Sequence, residues 1–359
     1  DRQCYNKHIG QADKFPNLCP SGKDENNMPG FTTHYIFGMK AYNDMPFTPL
    51  KHTIAKYRWA YQLGLQGPDM FFYNIPILAP PRLPQRRFLY ARTQGKRLFE
   101  CCLRRIGTIR SRQQQEEAIS YLAGFINHYI ADSICHPYVY GRIGYPVDAP
   151  TSMHHGMHAH LENELDAILL WKYKKEAAEF NQTATICLNG QEIQFISHFL
   201  ASCINETYYP ITYRNNFQVT PAMVHRSIWA LRFGCRTLSD KNGKKKFGIA
   251  QVESIFVNHP VASAKMVTDS VTDYRSSCNL NHEAWGNPWD PTRVSTASFV
   301  DLFHETLDKC SRVYALLNSA VTDNMPLDKQ DLSPLLAELG NDLITADYLL
   351  SENTYFGSW

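Results

Sequence analysis

The stretch HYIADSICHPYVY, residues 128–140, spaces His128, Asp132 and His136 four residues apart. On a helix each step of four turns the chain by only about 40° beyond a full circle, so the three side chains share one face. That face carries two imidazoles and a carboxylate where a packing helix would carry Leu. A second stretch repeats the device. His158 and Glu162 are four apart, and Asp166 follows four further on. His160 and Glu164 make another such pair, about 200° around the same helix, so only one of the two pairs can face the first helix. Leu161 and Leu165 flank the His158/Glu162 face, and we take that pair as the inward one. Imidazole nitrogens with carboxylate oxygens are the ligand set that suits zinc, and in a catalytic site one position stays open for water. A lone HxxxE is usually a surface hydrogen-bonded pair. Two such helices close together in the chain, with Ile126, Ile130 and Ile134 around the first set, point instead to metal held in a bundle core.

Those side chains need helices to position them, and the pattern supplies them. Residues 113–136 read as a long helix that stops at His136–Pro137. Residues 158–180 read as a second, with Leu161, Leu165, Ile168, Leu169 and Tyr173 on one stripe. A third spans 294–318, entered through Ser295 and Thr296, and a fourth spans 333–350. TATICLNGQEIQFI (183–196) reads as a hairpin about Asn189–Gly190, and the basic run 239–247 as a solvated loop. GLQGPDMFFYN (64–74) ends one helix at Gly67 and restarts after Pro68. Taken locally, Asp69 is a turn or cap residue and His34 a partly buried histidine.

The expected fold is all-α: a single large helical domain, residues 28–359, with the metal site between core helices. Residues 1–27 are polar and without apolar period, and read as an extension that is disordered or foreign to the native chain. Lys+Arg 36 against Asp+Glu 34 leaves +2, so no strong global field marks a nucleic-acid partner. No apolar run is long enough to span a membrane. The ten cysteines lack CxxC spacing, which favours thiols over a disulfide framework. No hydrophobic core of signal-peptide type heads the sequence, which leaves a cytoplasmic location or secretion after processing both open.

Together, MPGFTTHYIFG, LGLQGPDMFFYN, YLAGFINHYIADSICHPYVY and HAHLENELD resemble the zinc-dependent phospholipase C family, in particular its clostridial-type members. The resemblance runs from Met28 to about Asn318, and HxxxDxxxHP followed by HxxLE is its most specific part. It implies an all-α fold, a cofactor of one to three Zn2+ ions and hydrolysis of phosphodiesters. Position by position, it implies His34 as the early histidine ligand and Asp69 as a ligand and candidate general base. His128 and Asp132 would serve a central zinc, with Asp132 bridging. His136, His158 and Glu162 would complete the last site. Two departures stand out. The relatives' histidine after the GPD segment is replaced by Tyr90 or Ala91, and no tryptophan precedes Trp59 to supply the relatives' N-terminal ligand. The tail reads helical, so no separate β-sandwich membrane domain is expected.

The expected substrate is a phospholipid at a membrane surface, cleaved to diacylglycerol and a phosphorylated head group. FFYNIP (71–76) and residues 137–145 are candidates to line its apolar cleft. The alternatives are a single-strand nuclease or nucleotide phosphohydrolase of the same fold, and a metal-binding module without turnover.

Overall fold

The computed structural model describes residues 30–73, 95–147, 152–174, 180–209, 211, 218–237, 244–256, 263, 271 and 273–340. Its helices are α1 (Phe31–Asp44), α2 (Pro49–Lys56), α3 (Arg58–Gly64), α4 (Gly95–Gly107), α5 (Arg112–Arg142), α6 (Ser152–Lys174) and α7 (Gly190–Tyr208). They continue with α8 (Pro221–Thr237), α9 (Lys244–Phe256), α10 (Tyr274–Ser277), α11 (Phe299–Thr322) and α12 (Ser333–Leu339). A short antiparallel hairpin, β1 (Trp285–Asn287) and β2 (Asp290–Ser295), separates α10 from α11, with Trp285 opposite Ser295. The chain is thus all-α, as the helical periodicity implies.

Helix α5 is the axis of the fold. From Glu117 to Asp132 every side chain is buried, because α1, α2, α3, α4, α6, α7 and α11 all pack on it. A helix covered on every side has no polar stripe, so its functional residues are polar groups sunk in an apolar rod. Glycines set its closest crossing. A Cβ on Gly124 would sit 2.1 Å from the Tyr61 carbonyl oxygen, and one on Gly64 2.1 Å from that of Tyr121. Tyr61, pinned between α1 and α11, donates to or accepts from Tyr314 at 3.0 Å, and the Tyr314 hydroxyl donates to the Ala123 carbonyl.

Several boundaries differ from those read in the sequence. Helix α5 runs through Pro137 to Arg142. Proline removes one backbone hydrogen bond at a cost of about 3 kcal/mol. Packing of the next turn offsets it: Tyr138 and Tyr140 are fully buried, and the Tyr138 hydroxyl donates to the Ser277 carbonyl at 2.6 Å. Helix α6 starts at Ser152, ahead of His158, and the end expected at residue 180 falls beyond a stretch outside the described residues. The hairpin expected at 183–196 is a 3-10 turn, Gln182–Thr185, followed by α7. Asn189 is the N-cap of α7. Its side chain accepts from Glu192 N at 3.0 Å while Glu192 Oε2 accepts from Asn189 N at 2.7 Å. A capping box therefore outcompetes the turn that Asn-Gly favours elsewhere.

The observed hairpin instead buttresses the end of α5. Trp285 meets Tyr138 edge-on at 5.5 Å, and a Cβ on Gly141 would lie 2.3 Å from the Gly286 carbonyl. Helix α11 begins at Phe299 behind its own capping box, Ser298 with Asp301, rather than at Ser295. Helix α12 has Gly340 as its C-cap, at a φ of 81°, and the rest of the stretch expected to residue 350 lies outside the described residues. The second half of the basic run 239–247 is the first turn of α9 rather than a loop. Of the described cysteines seven are buried free thiols and Cys187 is disulfide-bonded, which corrects the expectation of thiols throughout at that position. The proposed extension 1–27 and the substitution at Tyr90/Ala91 lie outside the described residues. Among those described, no helix is long and apolar enough to cross a membrane.

Candidate metal centre

Three consecutive turns of α5 carry His128, Asp132 and His136 on one face, and Asp132 and His136 line a pocket. His128 is held first. Its Nδ1 lies 3.0 Å from the Leu65 carbonyl oxygen, which can only accept, so Nδ1 carries the proton and Nε2 offers its lone pair. Leu65 follows α3, and the chain then turns sharply at Gly67, whose φ is +46°. A Cβ there would stand 2.3 Å from His128 Cδ2, so glycine is required both by the backbone angle and by the ring it faces. The turn leads into a 3-10 segment, Gly67–Tyr73, with Asp69 in its first turn. Asp69 Oδ1 is 3.9 Å from His128 Nε2, and its side chain is 28% exposed, at the rim of the group.

Helix α1 brings His34, whose ring stacks on that of His128 at 4.0 Å. His34 Nε2 is 3.2 Å from Asp132 Oδ1, while His128 Nε2 is 3.0 Å from Asp132 Oδ2. His136 Nε2 stands 3.6 Å from Asp132 Oδ1 and 3.5 Å from Glu162 Oε1. Helix α6 supplies Glu162, and His158 Nε2 is 2.9 Å from the same Glu162 Oε1. The seven residues singled out in the sequence are thus brought together, with Asp132 and Glu162 as two hubs joined by His136. His158 is buried and His160 half exposed, so the His158/Glu162 pair is the one turned inward. Glu164 on the other face accepts from the Ser277 hydroxyl and ties α6 to α10.

Spacing alone gives Asp166 no role. It is fully buried, and its Oδ1 accepts from Thr33 N at 2.7 Å and from the Thr33 hydroxyl at 2.5 Å. Its Oδ2 accepts from Thr32 N at 3.3 Å. Helix α1 has Gly30 as its N-cap and no side-chain cap of its own. Asp166 therefore caps α1 from across the bundle, and fixes His34 to the helix that carries His158 and Glu162. Burial raises the Asp166 carboxyl to about 8 against the pull of those donors.

The electrostatics separate the carboxylates. Burial opposes ionisation of Asp132, but His128, His136 and His34 outweigh it and hold it well below the usual range. Glu162 is lowered in the same way, with His158 and His136 outweighing burial. Burial likewise opposes the charge on His128, yet Asp132 and Asp69 raise it to about 9 when no cation is bound; a metal ion on Nε2 would take the place of that proton. Asp69 is raised, by burial and by the neighbouring Asp132, with His128 pulling the other way.

Two subsets have the spacing of a metal site: His34, His128 and Asp132, and His136, His158 and Glu162, each with candidate ligand atoms within 4.8 Å of one another. Ligands about 2.0–2.2 Å from one tetrahedral ion lie roughly 3–4 Å apart, which is the range seen here. The buried Nε2 of His128 makes no hydrogen bond despite its 3.0 Å approach to Asp132. Nitrogen and oxygen lie side by side, as ligands to a shared cation do, and an unpaired buried acceptor is otherwise costly. Residues and donor set both fit zinc.

A family model described as zinc dependent phospholipase C matches residues 33–213, a span that contains all seven of these residues. The chain belongs to the zinc-dependent phospholipase C family. Comparison with curated proteins and with solved structures returns no significant match. Membership of the phospholipase C family accounts for the all-α fold and for zinc as the cofactor class. Of the two aromatic segments considered for an apolar cleft, Phe71, Tyr138 and Tyr140 are buried in the packing, and among the described residues only Val139 lines the pocket.

Proposed function

We propose that this phospholipase C family member hydrolyses the phosphodiester of a phospholipid, releasing diacylglycerol and a phosphorylated head group. Two zinc ions are assigned, one to His34, His128 and Asp132, the other to His136, His158 and Glu162. The observation that supports this most is the paired hub: Asp132 and Glu162, both kept ionised, each gather histidines from different helices around one pocket. The ions, when bound, supply Lewis-acid stabilisation of the phosphoryl oxygens and lower the pKa of water.

The remaining steps belong to the chain. His128, fixed by the Leu65 carbonyl, and His34, fixed through Asp166, keep the ligand geometry from collapsing. Asp69 stands at the partly exposed rim, where it orients the attacking water and accepts its proton. The new bond joins water oxygen to phosphorus, the bond from phosphorus to the glycerol oxygen breaks, and a proton passes to that oxygen. Phe37, Val139, Leu165 and Phe299 also line the pocket and give it an apolar component that suits the glycerol end of a lipid.

Elemental analysis of the purified protein, paired with an assay of phosphatidylcholine cleavage, tests this. Two zinc equivalents with release of diacylglycerol are expected. One or none, with no lipid cleaved, would sink the proposal, and cleavage of single-stranded DNA in its place would move the chain to the nuclease reading.

A further inference from the structure

Helix α8 is amphipathic in an unusual sense. Val224, Ile228, Leu231 and Cys235 form its inner face and are fully buried against the core. Its outer face is not the mixed polar surface that solvent favours. Trp229 is 57% and Phe233 45% exposed, and the two rings lie parallel with centroids 5.3 Å apart. Arg226 precedes Trp229 by three residues and Arg236 follows Phe233 by three, so arginines bracket the aromatic pair on one helical face. Arg232 sits beside them, partly exposed. Helix α8 contains no acidic residue, and among the described residues no ion pair neutralises these three arginines. From Pro221 to Phe256 the chain holds seven Lys or Arg against two acidic residues, in a protein whose whole balance is only +2.

We propose that this face of α8 docks the protein on an anionic phospholipid surface. The inference rests on the lipid reading of the site and gives that reading its partner. Exposed Trp and Phe prefer the interfacial layer of a bilayer, where a ring loses water without leaving the head groups. Arginines beside them meet the lipid phosphates, and each basic side chain near an anionic leaflet strengthens binding several-fold. Single-stranded nucleic acid is the rival occupant of an aromatic and basic surface. It is disfavoured by shape: a base must stack on an open ring face, whereas Trp229 and Phe233 already stack on each other along a convex helix. A flat lipid surface accepts a convex face. Helix α8 also packs on the Gly67–Tyr73 segment that carries Asp69, so the docking face adjoins the element at the rim of the metal group.

The test uses the full chain, zinc-loaded, sedimented with vesicles of phosphatidylcholine alone or mixed with phosphatidylglycerol. Two variants probe the face separately: the charge reversal R226E/R232E/R236E, and W229A/F233A. Wild type is expected to bind the mixed vesicles, to release them as salt rises, and to bind phosphatidylcholine alone weakly. Charge reversal should weaken binding to mixed vesicles about a hundredfold, and loss of the rings about tenfold. Equal turnover of a monomeric short-chain phosphatidylcholine by wild type and both variants would support a role in docking alone. Wild-type failure to sediment, variants that sediment like wild type, or loss of single-stranded DNA binding in place of vesicle binding would overturn the proposal. A wild type inert on the monomeric lipid yet bound to vesicles through these residues would remove the hydrolase reading and leave the docking face standing.

Discussion

Replacing Gly67 by alanine tests the construction of the metal centre without touching a ligand. The added Cβ would fall 2.3 Å from His128 Cδ2 and 2.7 Å from Nε2. Carbon atoms in contact need about 3.5 Å, so the His128 ring or the GPD turn must yield by roughly 1.2 Å. A shift of that size takes His128 Nδ1 out of reach of the Leu65 carbonyl, now 3.0 Å away, and moves Nε2 off the position it shares with Asp132. Two losses follow. The left-handed φ of +46° costs alanine about 1 kcal/mol of stability. The displaced ligand weakens zinc at the His34/His128/Asp132 group and lowers turnover about a hundredfold, as misplacements near 1 Å do. Gly144 is the control: its φ is +62°, but a Cβ there would meet nothing within 4 Å. G144A should show the backbone cost alone, with full zinc and full activity. Zinc content, phosphatidylcholine hydrolysis and a thermal melt on both variants separate the two effects. If G67A keeps full zinc and loses no more activity than G144A, the claim that glycine shapes the His128 position is wrong.

Four other changes bear on the same reasoning. Asp132→Asn should abolish turnover and release zinc while leaving the helical circular dichroism intact, since Asp132 is the hub for three histidines; hydrolysis at the wild-type rate would remove it from the mechanism. H158A should lose one zinc equivalent and H160A almost none, because His158 is buried beside Glu162 and His160 is half exposed; the reverse pattern in elemental analysis would mean the inward face is misassigned. Asp166→Ala leaves Thr33 N, Thr32 N and the Thr33 hydroxyl without their acceptor, so about 2–3 kcal/mol of stability and the zinc at His34 should go together; loss of stability with both zincs retained would make Asp166 structural only. Glu117 is buried with one carboxyl oxygen unpartnered, and burial, helped by Glu192, raises it to about 7. Its folded value exceeds the unfolded one, so its contribution to stability is full below about pH 4.5 and fades as pH rises through 7. Chemical denaturation across that window should show E117Q free of a decline of up to ~3 kcal/mol that wild type suffers; parallel curves would refute it.

How far the sequence carries such arguments depends on which force fixes each feature. The polar face of α5 is legible because helical geometry alone puts residues four apart together, and no partner is needed to read it. The end of α5 is not, since proline at 137 is a local stop signal that distant packing, Tyr138 on Ser277 and Gly141 on Gly286, overrides. At Asn189–Gly190 both signals were local. Asn189 followed three residues later by Glu192 is a helix start, and the apolar residues Ile193, Ile196, Leu200, Cys203 and Ile204 recur at helical spacing behind it. The Asn-Gly pair favours a turn only where no such period follows it.

The same division runs through the metal centre. His128, Asp132, His136, His158 and Glu162 belong to repeats within two helices, so spacing names them. His34 and Asp69 lie on other elements, one histidine in a buried helix and one aspartate after a proline, and nothing local separates them from ordinary residues; only resemblance to a family singled them out. What holds them is less visible still. Asp166 acts on α1 from 133 residues away, the Leu65 carbonyl on His128 from 63. A backbone carbonyl carries no letter in the sequence, and a carboxylate capping a distant helix looks like any other acid on a heptad face. Ligands can therefore be read from periodicity, whereas the contacts that orient them exist only once the helices are packed, and substitutions at Gly67 and Asp166 test that second layer directly.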